Sequence, residues 1–499
     1  MWIAAGLAAE LPDVGELDRY RVDVPDWPGA EATSATGSVL LAPPPAGTKW
    51  RHETPPVPDT YDAVEAIEAL GAESWHARGE GGKGVKVAVF DVQFFNAAVW
   101  ADELGDVATH DCQAHRSCDV EMDTLRPRYS FEEGSHGVAC AEVIRDLAPE
   151  AELHLVRVNG ETTLQNAAEW AVREGIDLVS MSMSFFHNSF HDGSGPVNEA
   201  VDTLTRGGVL LVNSAGNYAT EHWSGDFVDA DGDGAMEFPW GSAFLPVYWG
   251  EGGNTLQVAW DQFGSCGDTD LDVYVFDEQG DLLGRGEASQ DPTADHCSPI
   301  ERVSFDAPRT DWYYVMVVRY AGDPVVPVAI WGRGGEVWRT TPGSLADPAS
   351  HHAAFTVGAV RATGYLENGA ESFSSEGPSV AGVPKPDIAG PDGLTTAVYG
   401  SVGFYGTSAS TPAVAGALAL LLGEDPDLGP YEAAERLKAT ASNGRATWQA
   451  PDPELGAGYA RLPQEAPAAG LCGGRSSAAF APLLLMLSRF RRRPVCSPA

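Results

Sequence analysis

Apolar and polar positions along the chain follow two rhythms. Residues 61–70 carry Val64, Ile67 and Leu70 at helical spacing, and the glycine-rich run Gly79-Glu80-Gly81-Gly82-Lys83-Gly84 ends that helix. Residues 85–90 then read as a β-branched strand that stops at Asp91. A helix opens at His136, followed by a strand over 152–158, a helix over 164–174, a strand over 176–183, a helix over 196–205 and a strand over 209–212. This succession predicts a parallel sheet with helices on both faces. From about 222 to 340 the period drops to two, in Leu256-Val258-Trp260, Leu271-Val273-Val275 and Tyr314-Met316-Val318, with turns such as Gln279-Gly280-Asp281 between them. That stretch predicts a small all-β sandwich. The first rhythm resumes with a strand over 355–360, an apolar helix through 417–422 and an amphipathic helix over 431–441.

Chemistry-bearing residues fall at the ends of these elements. In an open parallel sheet, ligands gather beyond the carboxyl ends of the strands, where Asp91 stands. His136 opens its helix, followed by the small residues Gly137, Ala139 and Ala141, which suit close packing against a neighbour. The stretch Gly406-Thr407-Ser408-Ala409-Ser410-Thr411-Pro412-Ala413-Val414-Ala415-Gly416 reads as a tight loop feeding a buried helix, with Pro412 in its first turn. A hydroxyl at such a helix start lies beside unpaired N–H groups and the positive end of the dipole, where a tetrahedral oxyanion is stabilised. A serine there also serves as an ordinary N-cap.

Composition narrows the partners. The 499 residues allow two or three domains, and 71 acidic against 31 basic residues give a net charge of −40. That balance disfavours nucleic acid and anionic lipid, and it suits a soluble, self-repelling secreted surface. Of seven cysteines, Cys112 with Cys118 and Cys266 with Cys297 are spaced for local disulfides rather than for zinc, and Cys140 falls in an apolar helix as a buried thiol.

Taken together, the Gly-Thr-Ser-Ala-Ser-Thr-Pro run, the strand ending at Asp91, Ser135-His136-Gly137 and Ala215-Gly216-Asn217 resemble the motifs of subtilisin-like serine proteases, in the order Asp, His, Ser. The resemblance covers about 61–221 and 341–463. It implies a subtilisin-like, doubly wound α/β fold of mostly parallel sheet. It also implies a secreted or surface-displayed endopeptidase acting on protein or peptide substrates, with Asp91, His136 and Ser408 as the triad. Asn217 and the Ser408 N–H would hold the oxyanion, and the backbone of Ser182, Met183 and Ser184 would line the substrate groove; no cofactor is needed for the chemistry. Two departures are local. Val92-Gln93-Phe94-Phe95 replaces the family's small residue and glycine after the aspartate, and Val138-Ala139 replaces Thr-His after His136-Gly137. These departures motivate a second reading, a catalytically inactive subtilisin-fold binding protein. A third is a surface adhesin acting through the β-domain.

The remaining segments add expectations. Residues 1–60 read as the end of a signal peptide followed by a Pro-rich stretch, residues 222–340 as a β-domain inserted into the protease, and residues 464–499 as a linker and tail. Within the insert, residues 268–277 resemble strands of bacterial pre-peptidase C-terminal domains. Asp229, Asp231 and Asp233 with Gly234 resemble a calcium loop, although Trp240 stands where its last carboxylate belongs. The tail's Cys472, its short apolar run and its arginine cluster resemble a MYXO-CTERM sorting tail, which implies an extracellular or bacterial-surface location and transient membrane contact. Oligomeric state is not read from the sequence.

Overall fold

The computed structural model describes residues 40–41, 63–94, 97, 101–122, 135–186, 188–263, 269–290, 298–322, 325–338, 340–441 and 451–464. Residues 1–463 cluster as one unit and 464–499 as another. The signal-like start, the pair Cys266 and Cys297 and the sorting-type tail lie outside the described residues.

Elements run in chain order: β1 (Leu40–Leu41), α1 (Val64–Leu70), α2 (Glu73–His76), β2 (Lys86–Asp91), α3 (Ala101–Leu104), β3 (Val107–Asp111), α4 (His136–Leu147), β4 (Glu152–Arg157), α5 (Glu161–Glu174), β5 (Leu178–Met181), β6 (Met183–Ser184), α6 (Gly195–Arg206) and β7 (Leu210–Ser214). A second series follows: β8 (His222–Asp226), β9 (Leu245–Trp249), β10 (Gly252–Trp260), β11 (Asp270–Phe276), β12 (Leu282–Gly286), β13 (Ile300–Ala307), β14 (Asp311–Ala321), β15 (Pro327–Trp331) and β16 (Glu336–Val337). The chain then returns through β17 (Phe355–Arg361), β18 (Ile388–Asp392), β19 (Leu394–Thr396), β20 (Gly400–Phe404), α7 (Thr407–Glu424) and α8 (Pro430–Thr440).

The central sheet has seven strands in the order β18-β17-β7-β5-β2-β4-β3, and all its pairings are parallel. Except for the edge strand β3, the strands bury both faces. Val87 and Val89 of β2 join the core under α4 and α7, while Ala88 and Phe90 join the core under α5 and α6. That is why the strands read as continuous apolar runs. Strand order reverses at β2, which lies between β4 and β5, so the crevice beyond β2 and β5 is the topological switch point. The strand expected over 176–183 is interrupted: β5 stops at Met181, Ser182 breaks the ladder, and β6 carries on for two residues.

Helix α7 is buried through Leu422 and apolar all round, the mark of a core helix. Its Gly416 packs on α4, where an added Cβ would lie 2.7 Å from Leu147 Cβ. One expectation is corrected. Helix α7 begins at Thr407, so Pro412 lies inside the helix rather than in its first turn. A proline there removes the N–H that would bond the carbonyl of Ser408. That carbonyl instead accepts the Ser182 hydroxyl at 3.2 Å and lies 3.7 Å from Cys140 Sγ.

Between β7 and β17 the chain builds two antiparallel sheets, β13-β10-β15-β8 and β12-β11-β14-β9-β16. Leu256, Val258 and Trp260 meet Leu271, Val273 and Val275 in the interior between them. On β14 the interior residues are Tyr313, Val315 and Val317, while Met316 and Val318 join a second cluster on the outer face with Ala235, Tyr274 and Phe276. The segment 229–244 covers that face, so β14 is apolar on both sides. The insert's two ends are tied where it leaves the core: Gly332 N–H donates to Glu221 O and Val337 N–H to Thr220 O, both at 2.8 Å. Cys112 and Cys118 form a disulfide, and Cys140 is a buried free thiol.

Candidate active site

Asp91 ends β2 fully buried. Its Oδ1 accepts the Gln93 N–H at 2.9 Å, and its Oδ2 lies 2.7 Å from His136 Nδ1. The unusual Val92-Gln93-Phe94 turn therefore caps the carboxylate instead of displacing it. Phe94 is fully buried beneath α4, and Gln93 O accepts the Gly137 N–H at 2.9 Å. Gly137 is required by this contact, because a Cβ would lie 2.6 Å from the Phe94 ring and 2.7 Å from Asp91 Cβ. Val138 and Ala139, the other departure, are core residues of α4.

With Nδ1 donating to a carboxylate, the proton-accepting nitrogen of His136 is Nε2. It is buried and has no hydrogen-bond partner, and the same holds for Ser408 Oγ. Cys140 connects the two: Asp91, His136 and Cys140 bring polar atoms within 4.8 Å of one another, and Cys140 Sγ reaches the Ser408 carbonyl. Burial pushes the Cys140 thiol well above its ordinary value, so it stays protonated and packs as a small apolar group. The edge of the Phe404 ring meets the His136 imidazole at 5.5 Å.

Asn217 is held by Thr407, whose N–H and hydroxyl both donate to Asn217 Oδ1, at 3.0 and 2.9 Å. Gly216 N–H donates to the same hydroxyl at 3.2 Å. Fixing the oxygen this way turns Asn217 Nδ2 over Gly406. There a Cβ would lie 2.8 Å from that nitrogen, and φ is +107°. Gly406 is thus glycine on two counts. Its N–H donates to Asp392 Oδ2 at 3.0 Å; burial raises that carboxyl to about 7, against the lowering effect of this bond. Thr407 and Asp392 were not singled out from the sequence. The usable signals were a hydroxyl directly before Ser408 and an acid at the end of a strand.

Ser182 follows β5, which lies between β2 and β7, and beyond it β6 pairs with β1. Leu40 lies opposite Ser184 and Leu41 opposite Met183 in an antiparallel pairing, so an extended segment of the chain itself occupies the expected substrate strand. The acidic turn stands apart from this site. Asp229, Asp231 and Asp233 bring carboxylate oxygens within 4.8 Å of one another, and Asp229 also pairs with Arg319 at 2.9 Å.

Comparison with known proteins agrees with the fold. The chain is 34% identical over 146 residues to the serine protease AprX of Bacillus subtilis, covering 25% of this chain and 32% of that protein. It is 28% identical over 166 residues to a thermostable alkaline protease of Halalkalibacterium halodurans, covering 30% and 40%, and 27% identical over 184 residues to the major intracellular serine protease of B. subtilis, covering 32% and 51%. The matches span from about a third to a half of those relatives' lengths. Among solved structures, the Clostridium perfringens CspB protease superposes with a TM-score of 0.55 at 17% identity, covering 80% of this chain and 96% of that one. The family model described as the subtilase family, peptidase S8, matches residues 82–243 and 321–458. These two stretches are more than half of the chain and hold the ends of β2, α4, β7 and α7, and the chain is accordingly a member of the subtilase family.

Proposed function

We propose that this chain is a serine endopeptidase that hydrolyses protein or peptide bonds. The observation that carries the reading is the His136–Asp91 pair, which leaves an unpartnered Nε2 in the same buried site as the unpartnered Ser408 hydroxyl at the start of α7. Ser408 Oγ attacks the scissile carbonyl while His136 Nε2 takes its proton. Asp91 holds the imidazole in the correct tautomer and stabilises the imidazolium, which then protonates the leaving amine. The developing oxyanion is met by Asn217 Nδ2 and the Ser408 N–H, each such donor being worth about 3 kcal/mol of barrier. Substrate lies extended along residues 182–184; the antiparallel pairing of β1 with β6 supports an edge able to accept a strand.

Fluorophosphonate labelling of the folded protein tests this, with Ser408→Ala as control. Label confined to Ser408, and peptidase activity lost in the folded variant, is the expected result. Folded protein that takes no label gives the inactive binding protein instead. We also propose an oxidising, extracellular or cell-surface location, supported by the Cys112–Cys118 disulfide. For the acidic turn we propose a structural calcium ion, to be checked by a fall in Tm on chelation.

A further inference from the structure

The turn that delivers Ser408 is held from the ends of two neighbouring strands. Arg361 ends β17 and Asp392 ends β18, and the two are register partners. Just beyond them, Gly393 N–H donates to Phe404 O at 3.0 Å, which fixes the last residue of β20. The Arg361 guanidinium lies 4.5 Å from the centre of the Tyr405 ring. Asp392 Oδ2 accepts the Gly406 N–H at 3.0 Å, and Thr407 is held by Asn217. Each residue from Phe404 to Thr407 thus has its own support. The packing among them is tight: a Cβ on Gly393 would lie 2.8 Å from the Tyr405 ring and 3.2 Å from Arg361 Cδ.

A carboxylate is a costly support in this place. Asp392 is fully buried, and a side chain that only filled the space would be apolar. Its Oδ1 has no hydrogen-bond partner and stands 4.0 Å from Arg361 Nε, which donates to Glu371 instead. Burial raises the carboxyl to about 7; of the charged groups that reach it, Glu371 adds to the rise, while Arg361 and the Gly406 N–H oppose it. The bond that the carboxylate does make goes to Gly406, two residues before the nucleophile. Gly406 in turn lies against Asn217 Nδ2, at the 2.8 Å a Cβ would leave. It stands between the Asp392 carboxylate and the amide that meets the oxyanion. Displacing Gly406 would move that amide and the Ser408 N–H together, and a misplacement of about 1 Å in such a site costs up to about 100-fold in rate.

We propose that Asp392 is a positioning residue for the oxyanion hole: its carboxylate, backed by Arg361, fixes Gly406 so that Asn217 Nδ2 and the Ser408 N–H converge on one point. Asp392 is buried behind the turn and acts through Gly406. An ionised acceptor makes a shorter and stronger bond to an N–H than a neutral one. The support is therefore full above about pH 7, where the carboxyl is ionised, and weakens as pH falls through that value. The proposal rests on the endopeptidase reading above.

The test keeps the two apart. Fluorophosphonate labelling and peptide cleavage by the full wild-type chain come first, and a folded chain that does neither removes both readings. With an active chain, Asp392→Ala and Asp392→Asn are compared with wild type by steady-state kinetics on either side of pH 7. At alkaline pH, Asp392→Ala should lower kcat about 10–100-fold with KM within about twofold, and Asp392→Asn, which keeps a neutral acceptor, should lower it less. The gap between wild type and Asp392→Asn should close as pH falls below about 7, because the wild-type carboxyl is then neutral too. A peptide aldehyde inhibitor, whose adduct with Ser408 is tetrahedral, should lose affinity by the same factor as kcat/KM. Arg361→Gln, at a partly exposed side chain, removes a charge that favours the carboxylate and should move the acid limb of the wild-type profile to higher pH. Folded Asp392 variants whose kcat and pH profile are unchanged, or whose loss is confined to KM or Tm, overturn the proposal. If the Asp392 variants do not fold, Arg361→Gln decides the matter, and an acid limb that stays in place overturns it.

Discussion

Two buried histidine–aspartate pairs lie among the described residues, and they are built in different ways. In the first, His136 Nδ1 meets Asp91 Oδ2 at 2.7 Å, the carboxylate's other oxygen takes one backbone N–H, and Nε2 is left unpartnered in the site that holds Ser408. In the second, Asp347 takes two hydroxyls, Ser189 donating to one oxygen and Ser350 to the other. His191 Nδ1 accepts the Asp347 N–H at 3.2 Å and stands 3.4 Å from the carboxylate. One ring nitrogen of His191 thus faces a backbone donor and a carboxylate together, and its Nε2, like that of His136, is buried without a hydrogen-bond partner. The His191 ring then packs against Trp331 of the insert at 4.7 Å. Proximity of His to Asp is shared, but the carboxylates' other partners are not. A carboxylate held by one backbone N–H and one imidazole at 2.7 Å can stabilise an imidazolium, whereas one that takes two hydroxyls, with its imidazole farther off and packed on Trp331, serves as a fastening between the core and the insert.

Substitutions break this contrast in order of size. Asp91→Asn should lower kcat about 10⁴-fold while the protein stays folded, because the amide donates where Nδ1–H must be accepted; steady-state kinetics beside a melting curve would check it. Asp347→Asn should do the reverse, lowering unfolding stability by roughly 1–3 kcal/mol, since one hydroxyl loses its acceptor, with kcat nearly unchanged. A loss of activity at unchanged stability would dissolve the distinction. A third buried acid acts on stability alone, and only as pH rises. Glu142 lies on α4 with His136, accepts the Ala397 N–H, and is raised by burial from 4.5 to about 8. The folded state thus holds a proton that the unfolded chain releases, so stability is fully present below about 4.5 and declines as pH rises towards 8. Glu142→Gln should flatten that decline, which a rise from 4.5 to about 8 puts at no more than about 4 kcal/mol at pH 8, in denaturant titrations.

The parallel sheet and the positions of Asp91, His136, Asn217 and Ser408 were legible because each lies at an element end marked by a change of periodicity or a glycine. The altered turn after Asp91 was not, since only the structure shows Phe94 filling the space beneath Gly137. The start of α7 was misplaced because Pro412 argues for a helix beginning, and sequence gives no sign that Ser182 and Cys140 would take over the Ser408 carbonyl. The Asp347 fastening was invisible for a simpler reason. Its partner Ser189 is distant in sequence, and a lone Asp before Pro carries no local pattern.

The tied ends of the insert bear on how fast the core can assemble. Val212 of β7 and Phe355 of β17 are register partners, yet the whole β-module lies between them in the chain. Non-local strand pairing is slow because loop closure must precede the contacts that reward it. Once the module has folded and clasped its own ends at Thr220–Glu221, the loop still to be closed shrinks to the segment from there to Phe355. We expect the β-module to form first and the last strands of the sheet to wait for it, which makes an accessory domain the clock for completing the site.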